Sequence, residues 1–124
     1  MHSKFSSVFP EINSVAIGDN FADLIFENCS LINVYTNEIQ EKIQIAIKND
    51  RIAFVGEDAS HTRGSKTRIL DVKGKYVCPS FVDPHIHIDH FLTPVEFMKK
   101  SLLCGVTSLF PDSIDIVSVG GYKG

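Results

Sequence analysis

The stretch Phe81-Val82-Asp83-Pro84-His85-Ile86-His87-Ile88-Asp89 decides how the rest of the sequence is interpreted. It is an apolar run typical of a buried strand, yet it carries two histidines two residues apart and acidic residues on either side. Side chains alternate faces along a strand, so His85 and His87 are predicted to point the same way, with Cα atoms about 6.6 Å apart. This spacing suits two imidazoles that bind one metal ion. Two ordinary, partly buried histidines are the alternative at this point.

The residues after this stretch predict a β-α-β unit. Thr93-Pro94-Val95-Glu96 has the form of a capping box, with threonine at the N-cap, proline at the first helical position and glutamate three residues after the cap. Apolar residues at helical spacing predict a helix over 94–103, and 106–110 is typical of a second buried strand. A connection of this length suits parallel strands at 81–88 and 106–110. The fold class therefore changes near residue 80.

The residues before this point predict β structure. Apolar-rich runs at 22–27 and 30–34 predict two short paired strands. Residues 42–48 alternate strictly, with three isoleucines on one side, which predicts one buried face and one wet face. A two-residue turn at Asn49-Asp50 connects this strand to another at 51–55, so the pair is predicted to form a hairpin.

Three further segments are less regular. Pro10-Glu11 is predicted to open a short helix that Gly18 ends, because proline suits the first helical turn and glycine the position after the last. The polar residues 57–66 predict a surface loop. A further strand is predicted over 67–72.

The ends of the two later strands carry the polar residues of interest. In parallel α/β architectures the chemistry lies at the carboxyl ends of the strands. His85 and His87 lie at that end of the first strand, and Asp112 follows the second, so these side chains are predicted to face one cavity. A structural role for Asp112, capping the segment after Pro111, is the alternative.

Composition limits the classes of function. With 124 residues, 44% hydrophobic and 22% charged, the sequence is typical of a soluble globular protein of one domain or of parts of two. A net charge of −3 gives no basic surface for nucleic acid, and no stretch reaches the roughly 18 to 20 apolar residues of a membrane span. Three widely spaced cysteines without a C-x-x-C pattern argue against a disulfide framework. Small-molecule chemistry in the cytoplasm is the expectation.

The segment from Tyr76 to His87 resembles the signature at the first barrel strand of the amidohydrolase superfamily, in which a proline, a small residue, an apolar pair and an aspartate precede His-x-His. More narrowly, four segments resemble the bacterial adenine deaminases: Ala22-Asp23-Leu24-Ile25, Asn33-Val34-Tyr35-Thr36-Asn37-Glu38-Ile39, Arg51-Ile52-Ala53 and Leu92-Thr93-Pro94-Val95-Glu96-Phe97. The likeness extends from about residue 19 to residue 105.

This resemblance implies an α/β protein in three parts. Residues 1–20 would be an N-terminal segment, 21–79 the N-terminal part of a composite β-sandwich, and 80–124 the first β-α-β unit of a metal-dependent hydrolase (β/α)₈ TIM barrel. The barrel is incomplete in this chain, because such barrels typically take about 250 residues. The chain is therefore expected to be a truncated piece of a longer enzyme.

The resemblance also implies a metal-dependent hydrolase, most similar to adenine deaminase, which converts adenine and water to hypoxanthine and ammonia. His85 and His87 would hold a divalent metal (manganese, iron or zinc), and Asp83 and Asp89 would support the two histidines. A purely structural hydrogen-bonding role is the alternative for Asp83. No catalytic or substrate-binding residue is assigned within the chain. By resemblance, the remaining ligands and the proton-shuttling acid come from later barrel strands, so the chain is expected to be inactive alone.

Departures from the family leave the substrate open. Ser80 stands where the family has glycine, and Asp89 where adenine deaminases have glutamate. Ile114 replaces a histidine after the second strand, and an apolar side chain neither binds metal nor forms hydrogen bonds with a purine. One alternative is an amidohydrolase that acts on another cyclic amide or amidine, and another is a non-catalytic β-rich binding module. A homo-oligomer is left open, whereas no nucleic acid or membrane partner is expected.

Overall fold

The computed structural model describes residues 5–88, 92–112 and 114–121. The chain divides into two compact units, Met1–Cys78 and Pro79–Gly124. None of the helices within these described ranges has the length and hydropathy needed to cross a bilayer.

The first unit is mainly β and the second alternates strands with helices. The elements of the first are α1 Phe5–Ala16, β1 Leu24–Asn33, β2 Glu38–Lys48, β3 Arg51–Gly56, a 3₁₀ helix Ser60–Thr62, β4 Arg68–Asp71 and β5 Tyr76–Val77. Those of the second are β6 Phe81–Ile86, α2 Pro94–Leu103, β7 Val106–Pro111 and α3 Ile114–Gly120. Strands β1 to β5 form one sheet in the order β3-β2-β1-β4, with β5 also paired to β1. Strands β6 and β7 form a separate parallel pair.

Strand β1 is the centre of the first sheet. It runs antiparallel to β2 and parallel to β4 and β5. The prediction of two paired strands at 22–27 and 30–34 is wrong, because both runs belong to β1 and are separated by an irregularity in its pairing with β2. At this point Asn28 adopts a φ of 56°, and its side-chain amide donates to the Asp71 carboxylate at 2.8 Å. The irregularity thus divides the part of β1 that pairs with β4 from the part that pairs with β5.

The predicted hairpin is confirmed. Strands β2 and β3 pair antiparallel, with Lys48 opposite Arg51 across a two-residue turn. Asn49 has a φ of 52°, the left-handed conformation that tight hairpin turns require and that asparagine tolerates. The Asp23 carboxylate accepts hydrogen bonds from the Asn49 N–H at 2.8 Å and from Lys48 Nζ at 2.9 Å. The turn is therefore tied to the chain just before β1.

Strand β2 is covered on both faces. On one face Ile43 and Ile45 are buried beside Cys29. The other face is predicted to be wet, and this prediction is wrong: Ala46 is fully buried in a cluster with Val15 of α1. The alternation of the sequence shows the isoleucine face clearly, but it does not show that a helix from a distant segment covers the opposite one.

Helix α1 is longer than predicted. It spans Phe5–Ala16, and Pro10 lies inside it instead of at its first turn. A proline within a helix removes one backbone hydrogen bond and costs about 3 kcal/mol. Val15 is completely buried against the sheet, and this tertiary packing stabilises the helix despite the proline. The local sequence pattern does not show this contact. Gly18, predicted to end the helix, has a φ of 87° and donates its N–H to the Val15 carbonyl.

The second unit contains the predicted β-α-β arrangement. Helix α2 has the predicted bounds, while the first strand ends at Ile86, two residues earlier than predicted. Thr93 Oγ1 accepts the N–H of Glu96 at 3.4 Å, as expected of an N-cap. The Glu96 carboxylate accepts from Lys99 Nζ at 2.6 Å. The helix start is therefore held mainly by threonine and by the proline at the first helical position.

Little apolar surface is buried in this second unit. Among its described residues, Ile88 is the one buried hydrophobic side chain, at 8% exposure. Phe81 and Phe110, on the two strands, are each 62% exposed, and Leu103 at the end of α2 is 90% exposed. Main-chain pairing between β6 and β7 therefore contributes a large share of the order in this unit.

We expect Thr93→Ala to weaken the start of α2. The substitution removes the oxygen that accepts the Glu96 N–H, and loss of an N-cap costs about 1 kcal/mol. Amide hydrogen exchange over residues 96–100 should become about five-fold faster, as that free energy implies. Thr93→Ser keeps the hydroxyl and should exchange at the wild-type rate. Unchanged protection in Thr93→Ala would show that the threonine is not the cap.

Asp23 should make stability depend on pH. Hydrogen bonds from the Asn49 N–H and then from Lys48 hold the pKa of Asp23 below its ordinary value of 3.8. A group with a lowered folded-state pKa stabilises the fold above its unfolded pKa, and this contribution disappears as the pH falls through the folded pKa. Asp23→Asn should therefore lower the urea midpoint at pH 7, and the difference from wild type should shrink below about pH 4. The control is Asp19→Asn, which neutralises an exposed carboxylate nearby. If the midpoint difference between Asp23→Asn and wild type were equal at about pH 7 and below about pH 4, the pH dependence could not be assigned to Asp23.

Candidate metal centre

The two histidines meet at the carboxyl end of β6. His85 is the fifth residue of this strand, and His87 follows its last residue. The imidazole centroids lie 5.1 Å apart with an interplanar angle of 85°. His85 is exposed and His87 is half-buried. The structure thus brings together the two residues that the sequence singles out as metal ligands.

Asp112 lies at the same end, immediately after β7. Its N–H donates to the Ile86 carbonyl at 2.9 Å, which continues the pairing of the two strands. Its own carbonyl oxygen lies 3.1 Å from Nδ1 of His87. A carbonyl oxygen can only accept, so Nδ1 carries the proton of this hydrogen bond. In the neutral imidazole the lone pair is then on Nε2, which is the nitrogen that would coordinate a metal.

These three residues offer a donor set for a divalent cation. One ligand atom from each of His85, His87 and Asp112 lies within 4.8 Å of the other two. Imidazole nitrogen and carboxylate oxygen are both ligands of zinc, manganese and iron. Donors around a tetrahedral ion lie about 3.4 Å apart when the bonds are about 2.1 Å, which is shorter than the 4.8 Å limit within which these atoms lie. The residues present fit a divalent metal.

Asp83 supports the histidine segment through the main chain. Its carboxylate accepts the N–H of His85 at 3.2 Å. Pro84 between them has no N–H to donate, and the pairing with β7 shifts register between Asp83 and Ile86. The carboxylate therefore satisfies a backbone group at an irregular point of β6. The sequence predicts a supporting role for Asp83, and the contact that the structure shows is with the backbone of His85.

Some residues of interest lie outside the described part of the structure. Asp89, predicted as a second support for the histidines, is among them, as is the side chain of Ile114. The hydrogen bond between His87 and the Asp112 main chain was missed by reasoning from side-chain types. Its one signal in the sequence is the position of Asp112 directly after the second strand of the β-α-β unit.

No model of a known protein family matches this chain. An adenine deaminase of Cenarchaeum symbiosum (strain A) is 56% identical over 111 residues, which cover 90% of this chain and 18% of that protein. The chain is similar in sequence to adenine deaminases. A second example, from Ruegeria sp. (strain TM1040), is 39% identical over 127 residues, covering 99% of this chain and 21% of the relative. The chain thus spans about a fifth of the length of these adenine deaminases.

Solved structures of hydrolases share the fold of this chain. L-Hydantoinase (dihydropyrimidinase) from Arthrobacter aurescens matches with a TM-score of 0.56 and 27% identity, over 72% of this chain and 20% of that one. Molinate hydrolase matches with a TM-score of 0.57 at 18% identity, over 81% of this chain and 28% of that one, and this likeness concerns the fold alone. The predicted mixed α/β fold and the resemblance to the amidohydrolase superfamily are confirmed.

Asp83→Ala should loosen the backbone at His85. The substitution removes the acceptor of the His85 N–H, and a hydrogen bond of this kind contributes about 1 kcal/mol. Exchange of the His85 amide, followed by NMR, should accelerate about five-fold. A matched control is Asp58→Ala, which removes an equivalent aspartate contact to the Ser60 N–H in the first unit and should leave His85 unchanged. If the His85 amide exchanged at the same rate in Asp83→Ala and in wild type, Asp83 would not stabilise the backbone at His85.

Proposed function

We propose that this chain forms the metal-binding start of an adenine deaminase-like hydrolase. The reaction is the hydrolysis of adenine, in which adenine and water give hypoxanthine and ammonia. The observation that carries the proposal is the convergence of His85 and His87 at the carboxyl end of β6, in a sequence similar to adenine deaminases. The carboxyl ends of parallel strands are where α/β enzymes place their reacting groups.

In this proposal His85 and His87 bind a divalent metal, which is manganese, iron or zinc. When bound, such a metal lowers the pKa of coordinated water to about 7 and so supplies a nucleophile at neutral pH. The carbonyl of Asp112 orients the ring of His87, and Asp83 fixes the backbone of His85. Partners of this kind keep ligand orientation and tautomer ready for the metal. A similar supporting role is proposed for Asp89.

The chain is proposed to contribute only part of the active site. Residues 21–79 would belong to a composite β-sandwich and residues 80–124 to the start of a TIM barrel, after an N-terminal segment at 1–20. In this proposal the tips of β6 and β7 supply one side of the active site, whereas small-molecule sites bury most of the ligand surface. We therefore expect the 124 residues to release no ammonia from adenine on their own.

A second candidate is hydrolysis of another cyclic amide. The likeness to L-hydantoinase, at 27% identity, favours it over unrelated chemistries. Ile114, at the position where the family resemblance implies a histidine, argues against a purine substrate, because isoleucine cannot form hydrogen bonds with a purine edge. Both candidates use the same histidine pair and the same class of metal, so they differ in substrate and not in the site described above.

A chimera tests the proposal. The chain would replace the segment that it matches in the adenine deaminase of Cenarchaeum symbiosum, to which it is 56% identical. We expect ammonia release from adenine with added manganese, iron or zinc, and a loss of about a hundredfold or more in His85→Ala. His61→Ala is the matched control, since His61 is an exposed histidine in the other unit, and it should retain activity.

The same chimera separates the two substrates. Ammonia release from adenine supports the first candidate, whereas ring opening of hydantoin or dihydrouracil without adenine turnover supports the second. A folded, metal-loaded chimera that hydrolyses none of these compounds would contradict the proposed function. The isolated chain, assayed in parallel, shows whether the activity needs the remainder of the protein.

A further inference from the structure

We propose that the carboxylate of Asp112 is a third protein donor, so that this chain binds one divalent transition-metal ion by itself through His85, His87 and Asp112. The inference rests on the proposed function, because it uses the same histidine pair. It also changes the expectation from the sequence, in which every ligand beyond the two histidines comes from later strands. Three donors from two neighbouring strand ends would make this unit a metal site before any other strand contributes.

The first argument is the chemistry of the donor set. Two imidazoles and one carboxylate are a combination used by mononuclear zinc and non-haem iron centres. One ligand atom from each residue already lies within 4.8 Å of the other two. Neutral histidines alone would leave the full double charge of the cation uncompensated, whereas a carboxylate neutralises half of it. Asp112 is half-buried, so its charge is less screened by water than that of a fully exposed acid.

The second argument is that the backbone of Asp112 is fixed on both sides. Its N–H is bound to the Ile86 carbonyl at 2.9 Å, and its carbonyl accepts from Nδ1 of His87 at 3.1 Å. These two bonds hold the Cα of Asp112 close to the histidine pair without using its carboxylate. The residue therefore has separable roles, because the main chain orients His87 and the carboxylate would be left to bind the ion.

The third argument concerns the stability of the unit. The donors come from the ends of β6 and β7, so one ion would link two strands whose apolar side chains are largely exposed. A metal that binds the folded arrangement and not the unfolded one stabilises that arrangement. Metal binding should therefore reduce opening of the strand pair. This readout does not depend on catalysis.

The competing role for Asp112 is structural, as a cap for the segment that leads to α3, and it requires no metal. Asp112→Asn distinguishes the two roles, because it preserves the backbone and nearly all of the side-chain volume but removes the anionic ligand. A cap can be formed by asparagine as well as by aspartate. Metal affinity should therefore fall in Asp112→Asn only if the carboxylate is a ligand.

The experiment uses the full 124-residue chain. Cys78 and Cys104 are exposed thiols that could themselves bind zinc, so all proteins carry serine at these two positions. After treatment with a chelator, each protein is titrated with zinc by calorimetry and with cobalt by absorption spectroscopy. We expect one ion per chain, an affinity about ten- to a hundredfold lower in Asp112→Asn, and a changed cobalt spectrum. Asp112→Glu should recover part of the affinity, and Asp58→Asn in the first unit should change nothing.

Hydrogen exchange gives the second measurement. Zinc should slow amide exchange over residues 81–88 and 106–112, while the β2–β3 hairpin of the first unit serves as an internal reference. Equal zinc affinity in wild type and Asp112→Asn would show that the Asp112 carboxylate is not a ligand. Metal binding by the histidine pair and the proposed function would not be contradicted by that result. Absence of metal from the wild-type chain would also overturn the inference. The proposed function would then be judged by the chimera, in which later strands are present.

Discussion

The hydrogen bond from the Asp112 N–H to the Ile86 carbonyl is the interaction on which the candidate site depends. It closes a parallel strand pair that begins with the Phe81 N–H bound to the Gly105 carbonyl. Because the strands are parallel, the residues that follow them emerge at the same end of the sheet. His87 and Asp112 are neighbours for this reason, although 25 positions separate them in sequence.

Local signals account for the elements that the sequence predicts well. The bounds of α2 follow from the threonine cap, the proline at the first helical position and the spacing of apolar residues, all within one segment. The hairpin follows from the alternation of β2 and from Asn49 in its turn. In both cases the residues that decide the structure are adjacent in sequence, so no knowledge of distant partners is needed. The histidine pair belongs to the same class, because two residues at a spacing of two meet at one strand end.

Long-range contacts account for the errors. Strand β1 is continuous because β2, β4 and β5 all pair with it, and Asn28 is held in its left-handed conformation by Asp71 from a distant strand. The buried second face of β2 depends on α1, whose packing outweighs the proline inside it. The bond between His87 and Asp112 uses a main-chain carbonyl, which every residue has and which side-chain patterns therefore cannot reveal.

The two units hold their shape by different means. In the first unit, two clusters of buried side chains lie on the two faces of one sheet, and each buried valine or isoleucine contributes about 1.5 to 3 kcal/mol. In the described part of the second, α2 has no buried residue, and an apolar cavity of about 250 Å³ remains beside Ile88, Met98 and Leu102. The candidate chemistry thus lies in the unit with less core. Its geometry is set by main-chain hydrogen bonds between strand ends, which position polar side chains without enclosing them.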